Sequence, residues 1–141
     1  MECTIHWVAD AGMAMMATTG SGHVLTMDGA PEGGGRNLAP RPMETLLAGA
    51  GGCTAYDVVL ILKRGRHQVS GCTVRMTAER AEADPKVFTK LHMHYVVTGQ
   101  GLAEGPVARA VQLSHDKYCS ATAMLGRTAE ITHSVEVMQA G

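Results

Sequence analysis

Two cysteines stand in settings where a thiol could do chemistry. Cys53 lies in "AGAGGCTAYDVVLILKRGR" (48–66), where a run of glycines gives way to an apolar stretch, and Cys119 lies in "KYCSATAML" (117–125). A thiol attacks as its thiolate, which a helix N-terminus or a neighbouring cation favours and apolar burial disfavours. Gly49, Gly51 and Gly52 would let another backbone or a small substrate approach Cys53 closely. A helical segment beginning after Gly52 would also aim free N–H groups at the sulfur. Cys119 follows Lys117 and opens a short helix, Ser120–Leu125, a setting that predicts a lowered thiol pKa. The alternative for both is plain packing, because free cysteine is among the most buried residue types. Cys3 and Cys72 sit at strand ends without such surroundings and read as structural or exposed bystanders.

The histidines offer a second chemistry. His92 and His94 fall on one face of a strand, a spacing that can ligate a metal, yet no third ligand is evident beside them, and solvent-face alternation explains the pair. His133 falls on the apolar face of the last strand, as a hydrogen-bonded core histidine or a group lining the thiol pocket.

The elements that must position these residues follow from periodicity and punctuation. "ECTIHWV", "MAMMATT" and "HVLTMDG" read as short strands separated by glycine, and residues 30–41, with three glycines and two prolines, as a loop. Pro42 suits the first turn of a helix over 43–66, with Glu44 near its positive end. From Ala55 to Leu62 that helix is apolar at nearly every position except Asp57, the pattern of a helix buried in a domain or between subunits. "TVRMTAE" and "LHMHYVV" alternate as strands joined by the hairpin-like "RAEADPKV". Residues 104–116 form an amphipathic helix with Val107, Ala110, Val111 and Ser114 on one side, and "ITHSVEV" closes the chain as a strand. The order is that of one α+β domain over 1–141.

Composition narrows the function classes. A hydrophobic content of 45% excludes a disordered chain, and a net charge of -1 gives no sign of a surface for nucleic acid or acidic membrane. Aromatics are only 4% against ten methionines, so the core is aliphatic and thioether-rich and depends on a partner for completion. No apolar run approaches the ~18–20 residues of a membrane span. The N-terminus lacks the charged start and apolar stretch of a signal peptide, which places the protein in the cytoplasm, where four cysteines are expected as reduced thiols.

Around Cys53 and Cys119 the residues carry a pattern. "SGHVLTMDG", "PMETLLAGAGGCTAYDVVLILKRGR", "VFTKLHMHYVVTG" and "VARAVQLSHDKYCSATAML…ITHSVEV" resemble the OsmC/Ohr superfamily, the osmotically induced protein C and organic hydroperoxide resistance proteins, and within it an OsmC-like subgroup. The resemblance implies an intertwined α+β homodimer, with a curved antiparallel sheet around long central helices and active sites at the subunit interface. It implies that Cys53 is peroxidatic and Cys119 resolves it as a disulfide, in defence against oxidative or osmotic stress. It further implies a small hydrophobic hydroperoxide as substrate, a dithiol such as a lipoyl group as reductant, and no metal or organic cofactor. An arginine and a glutamate poise the thiolate in the characterised branches. Glu44 is the glutamate candidate, although nine residues on a straight helix put it ~13.5 Å along the axis from Cys53 and on the opposite face. It would have to reach the partner's thiol, or else serve only as a helix-start acid. The peroxidase branch draws its arginine from the N-terminal β region, yet none occurs here before Arg36. Arg36 and Arg41 in the loop, and Arg80 in the hairpin turn, are the candidates, each alternatively a solvated charge. Two rival readings stand beside the peroxidase. One is a cysteine-nucleophile enzyme acting on another electrophile, and the other is a dimeric binding protein whose apolar interface pocket holds a hydrophobic small molecule.

Overall fold

In the computed structural model, which describes residues 1–141, the glycine-punctuated N-terminal segments form three strands, β1 (Cys3–Trp7), β2 (Met15–Thr19) and β3 (Val24–Met27). They pair antiparallel in the order β1-β2-β3, with Ile5 opposite Ala17 and Met16 opposite Thr26. The loop that follows is organised by one buried carboxylate. Asp28 accepts backbone N–H bonds from Gly29 at 2.7 Å and from Arg36 and Leu38 at 3.1 Å each. The Leu38 bond is the largest of the effects that hold its carboxyl below the usual range. β1 is exposed along its length, Ile5 and Trp7 included.

Helix α1 runs without a break from Pro42 to Arg64. Pro42 needs no N–H in the first turn, and the Glu44 carboxylate accepts the Arg41 backbone N–H at 2.9 Å, half of a capping box. Lys63 and Arg64 occupy the last turn, where the dipole favours cations. The chain divides into two compact units, residues 1–48 and 49–141.

In the second unit, β4 (Gln68–Arg80) and β5 (Phe88–Gln100) pair antiparallel, and β6 (Glu130–Gln139) joins β5 in the order β4-β5-β6. β6 runs parallel to β5, so the sheet is mixed where an antiparallel one was expected. A parallel pair needs a long crossover, and α2 (Glu104–Leu113) with α3 (Ser120–Leu125) supplies it. Alternation along β5 buries Leu91, Met93, Tyr95 and Val97 with Val58 and Leu62 of α1 and Val107, Ala110 and Val111 of α2. α1 and β4 approach closely at Gly51, where a Cβ would lie 2.6 Å from Met76 Sδ, whereas Gly49 and Gly52 face open space. The expected helix 104–116 ends early, at Leu113, and is followed by a π-helical turn, Ser114–Tyr118.

α1 corrects one expectation. Its 23 residues include a stretch of mean hydropathy 1.6, long and apolar enough by length and composition to cross a membrane. Leu46, Leu47 and residues 58–62 carry that mean, and the alanines between them keep it up without making one continuous aliphatic run. Only 28% of the stretch is buried, and Leu46 and Tyr56 are among its exposed side chains.

Glycine at position 99 is imposed by close approach, since a Cβ there would fall on the Gln68 carbonyl, while Gly105 has nothing within 4 Å. Gly99→Ala should therefore cost about 1–3 kcal/mol by overpacking. Gly105→Ala, at an open helical position, should gain about 0.5–1 kcal/mol. Urea unfolding of the two variants checks both signs.

Candidate active site

Cys53 and Asp57 are one helical turn apart on α1, which sets them on the same face. Across from them stands Cys119, the N-cap residue of α3. The two sulfurs and a carboxylate oxygen of Asp57 all lie within 4.8 Å of one another. Cys119 is only 2% exposed, and Cys53 and Asp57 are half-buried. Nowhere else in the chain do three histidine, cysteine or acidic side chains converge in this way.

A chain of buried hydroxyls holds this arrangement. Ser114 donates to Asp57 Oδ2 at 3.0 Å, and its oxygen lies 2.9 Å from the Thr54 hydroxyl, which lies 2.7 Å from the Tyr95 hydroxyl. Each hydroxyl has one proton to give, so with Ser114 donating to Asp57 the donations run from Tyr95 to Thr54 to Ser114, and Met93 Sδ, 3.5 Å from the Tyr95 oxygen, is the other acceptor within its reach. Thr54, Ser114 and Tyr95 are buried, which makes their mutual satisfaction obligatory. Through them β5, α1 and the π-helical turn are tied at one point. The turn also fixes Cys119, whose backbone N–H donates to the Ser114 carbonyl at 2.8 Å.

The thiol environments depart from two expectations. α1 is continuous through Cys53, so its N–H groups there serve the helix and no segment starts at Gly52. The Cys119 thiol is pushed up rather than down. Burial is the main cause. The Thr122 hydroxyl and N–H pull the other way, the latter 3.5 Å from the sulfur, and the neighbouring Cys53 thiol adds to the rise. Lys117 does not relieve it, because its ammonium lies over the Tyr118 ring, 5.3 Å from the centroid.

Most of the charged candidates have local partners. Arg41 donates to Asn37 Oδ1 at 2.6 Å and Glu44 caps α1, whereas Arg36 is tied to Asp28 through its backbone N–H and not through its guanidinium. Arg80 closes β4 instead of lying in the turn, and its Nε donates to the Lys86 carbonyl at 2.8 Å. Cys3 is exposed, and burial raises the half-buried Cys72 thiol. The ring nitrogens of His92 and His94 all face β6, on Thr132, Ser134 and Glu136 at 2.7–3.3 Å. His133 is half-buried with its ring centroid 5.8 Å from that of His115, and burial lowers its pKa.

Asp57, Ser114, Thr54 and Tyr95 escaped the sequence reading. The signal for the first two was present, as one acid in an apolar helical run and one hydroxyl on an apolar helix face. Removing the hub of the chain tests its weight. Thr54→Val leaves the Tyr95 and Ser114 hydroxyls short of a partner and should cost about 1–3 kcal/mol, read from urea unfolding. A loss within the ordinary scatter of a surface substitution, about 0.5 kcal/mol, would contradict that.

The relatives agree with this architecture. Protein YhfA of Escherichia coli is 45% identical over 140 residues, covering 99% of this chain and all of the relative. The crystal structure of a hypothetical protein from Aquifex aeolicus superposes with a TM-score of 0.84 at 28% identity, covering 99% of this chain and 97% of that one. An organic hydroperoxide resistance protein OsmC from Legionella pneumophila shares the fold at 16% identity, with a TM-score of 0.69 and coverage of 96% and 95%. Residues 33–134 match the profile of the OsmC-like proteins. The chain belongs to the OsmC-like protein family.

Proposed function

We propose that this protein is a cytoplasmic, thiol-dependent hydroperoxide reductase in which Cys53 is peroxidatic and Cys119 resolving. The observation that carries the reading is the meeting of two thiols within 4.8 Å from distant parts of the chain. Cys53 thiolate attacks a hydroperoxide oxygen, the O–O bond breaks, and the alkoxide leaves as an alcohol after taking a proton. Cys53 is then a sulfenic acid. The Cys119 sulfur attacks it, the S–S bond forms, and hydroxide leaves as water with the Cys119 proton. A cellular dithiol such as a lipoyl group reduces the cystine by exchange and is itself oxidised to a disulfide. A cation supplied by Arg36, Arg41 or Arg80, and Glu44 reaching from a partner subunit, would complete the site.

A cleft of about 250 Å³ lined by Leu60, Ile61, Leu113 and Tyr118, with Asp57 and Arg64 at its walls, suits an apolar substrate. The same cleft favours the second reading, a binding protein for a hydrophobic small molecule. The working unit is a homodimer, because the exposed apolar side chains of α1 need a cover that one chain does not provide.

A stoichiometric organic hydroperoxide should remove two titratable thiols per chain and yield a Cys53–Cys119 disulfide in peptide mapping. Cys53→Ser should consume no peroxide, Cys119→Ser should stall as sulfenic acid and over-oxidise, and Cys3→Ser and Cys72→Ser should match the parent. Among the alanine variants of Arg36, Arg41 and Arg80, one should slow the first step. A Cys53 that stays a free thiol under excess hydroperoxide favours the binding protein. Sedimentation at micromolar concentration should give a dimer, and a stable folded monomer would refute the assembly.

A further inference from the structure

The geometry points to a zinc site formed by Cys53, Asp57 and Cys119 in the reduced protein. These residues bring two thiols and a carboxylate within 4.8 Å, and Asp57 takes part in neither of the salt bridges the chain makes, Lys90–Glu79 and His94–Glu136. As ligands the three groups carry a formal charge of about -3, which a divalent ion at their centre offsets. Around a tetrahedral zinc with Zn–S near 2.3 Å, ligand atoms stand about 3.5–3.8 Å apart, so the side chains need to close in by no more than about 1.0–1.3 Å. Cys53 and Asp57 come from one turn of a helix and Cys119 from a second element, an arrangement that fixes two ligands rigidly and lets the third close on them. Outer partners already orient two of the three. Ser114 donates to Asp57 Oδ2 at 3.0 Å, and the Thr122 N–H lies 3.5 Å from Cys119 Sγ.

The donor set selects the metal. Two thiolates exclude magnesium and calcium, which take oxygen, and the carboxylate disfavours the cuprous ion, which seeks sulfur. Zinc accepts the mixture, and three protein ligands leave a fourth position open toward a small molecule. Formation of the Cys53–Cys119 cystine would consume both thiolates and release the ion, so zinc and oxidation compete for the same atoms.

Cobalt(II) is the probe, added to the reduced full-length protein and followed by zinc competition against a chromophoric chelator. One ion per chain is expected, with a thiolate-to-cobalt charge-transfer band and the intense visible bands of a tetrahedral site. Cys53→Ser and Cys119→Ser should each abolish that spectrum. Asp57→Ala should weaken zinc by more than the roughly 10–100-fold that loss of an outer partner costs, and Ser114→Ala should fall within that range. Cys3→Ser and Cys72→Ser should bind as the parent does, and protein oxidised with diamide should bind none while keeping its circular dichroism. A folded, reduced protein without the charge-transfer band overturns the site, as does parental zinc affinity in Cys53→Ser or Asp57→Ala. The test uses no hydroperoxide. Zinc binding by a peroxide-inert dithiol would defeat the peroxidase and leave the metal site standing, and the converse result would do the reverse.

Discussion

The hydrogen bond between Thr54 and Ser114 is the constraint on which the rest of the site depends. It joins α1 to the π-helical turn between two buried hydroxyls, and it is flanked by the buried Tyr95 on one side and the half-buried Asp57 on the other. Hydroxyls taken from water must be paired, so the three elements have one acceptable register. That register sets the face of α1 carrying Cys53 against the start of α3 carrying Cys119. Apolar packing of Val58, Leu62, Val107 and Val111 supplies burial but tolerates sliding, whereas the directional bonds do not.

The same arrangement sets a chemical tension. Burial raises the Cys119 thiol, and the neighbouring Cys53 thiol adds to the rise. Such a site resists two simultaneous negative charges on sulfur. Three events relieve the resistance: a cation brought to the thiolate, a metal ion shared by the two sulfurs and Asp57, or a covalent S–S bond that removes the charges. Each converts the electrostatic cost of the cluster into a preference for a particular partner.

Much of the fold was legible because its signals are local. Alternation in "LHMHYVV" gave β5 and its buried face, Pro42 and Glu44 marked the start of α1, and Cys119 was placed correctly at the head of α3. The parallel pairing of β6 was not legible, since direction depends on how α2 and α3 cross over and strand periodicity is blind to it. The π-helical turn was hidden for a related reason: residues 114–118 continue a helical pattern, and the contact of Ser114 with Thr54, 60 residues away, leaves no local signal. The thiol pair itself came from family resemblance. Sequence separation carries no distance, and the lowered pKa inferred for Cys119 counted the cation and helix start while missing a burial that only tertiary structure reveals.

Whether Cys53 and Cys119 act as one dithiol, whatever their substrate, is read directly by phenylarsine oxide, which bridges two closely spaced thiols, in the folded reduced protein by native mass spectrometry with peptide mapping. One arsenical per chain spanning Cys53 and Cys119 is expected, lost when either is replaced by serine. An adduct on Cys3 or Cys72, or none at all, would contradict the pairing.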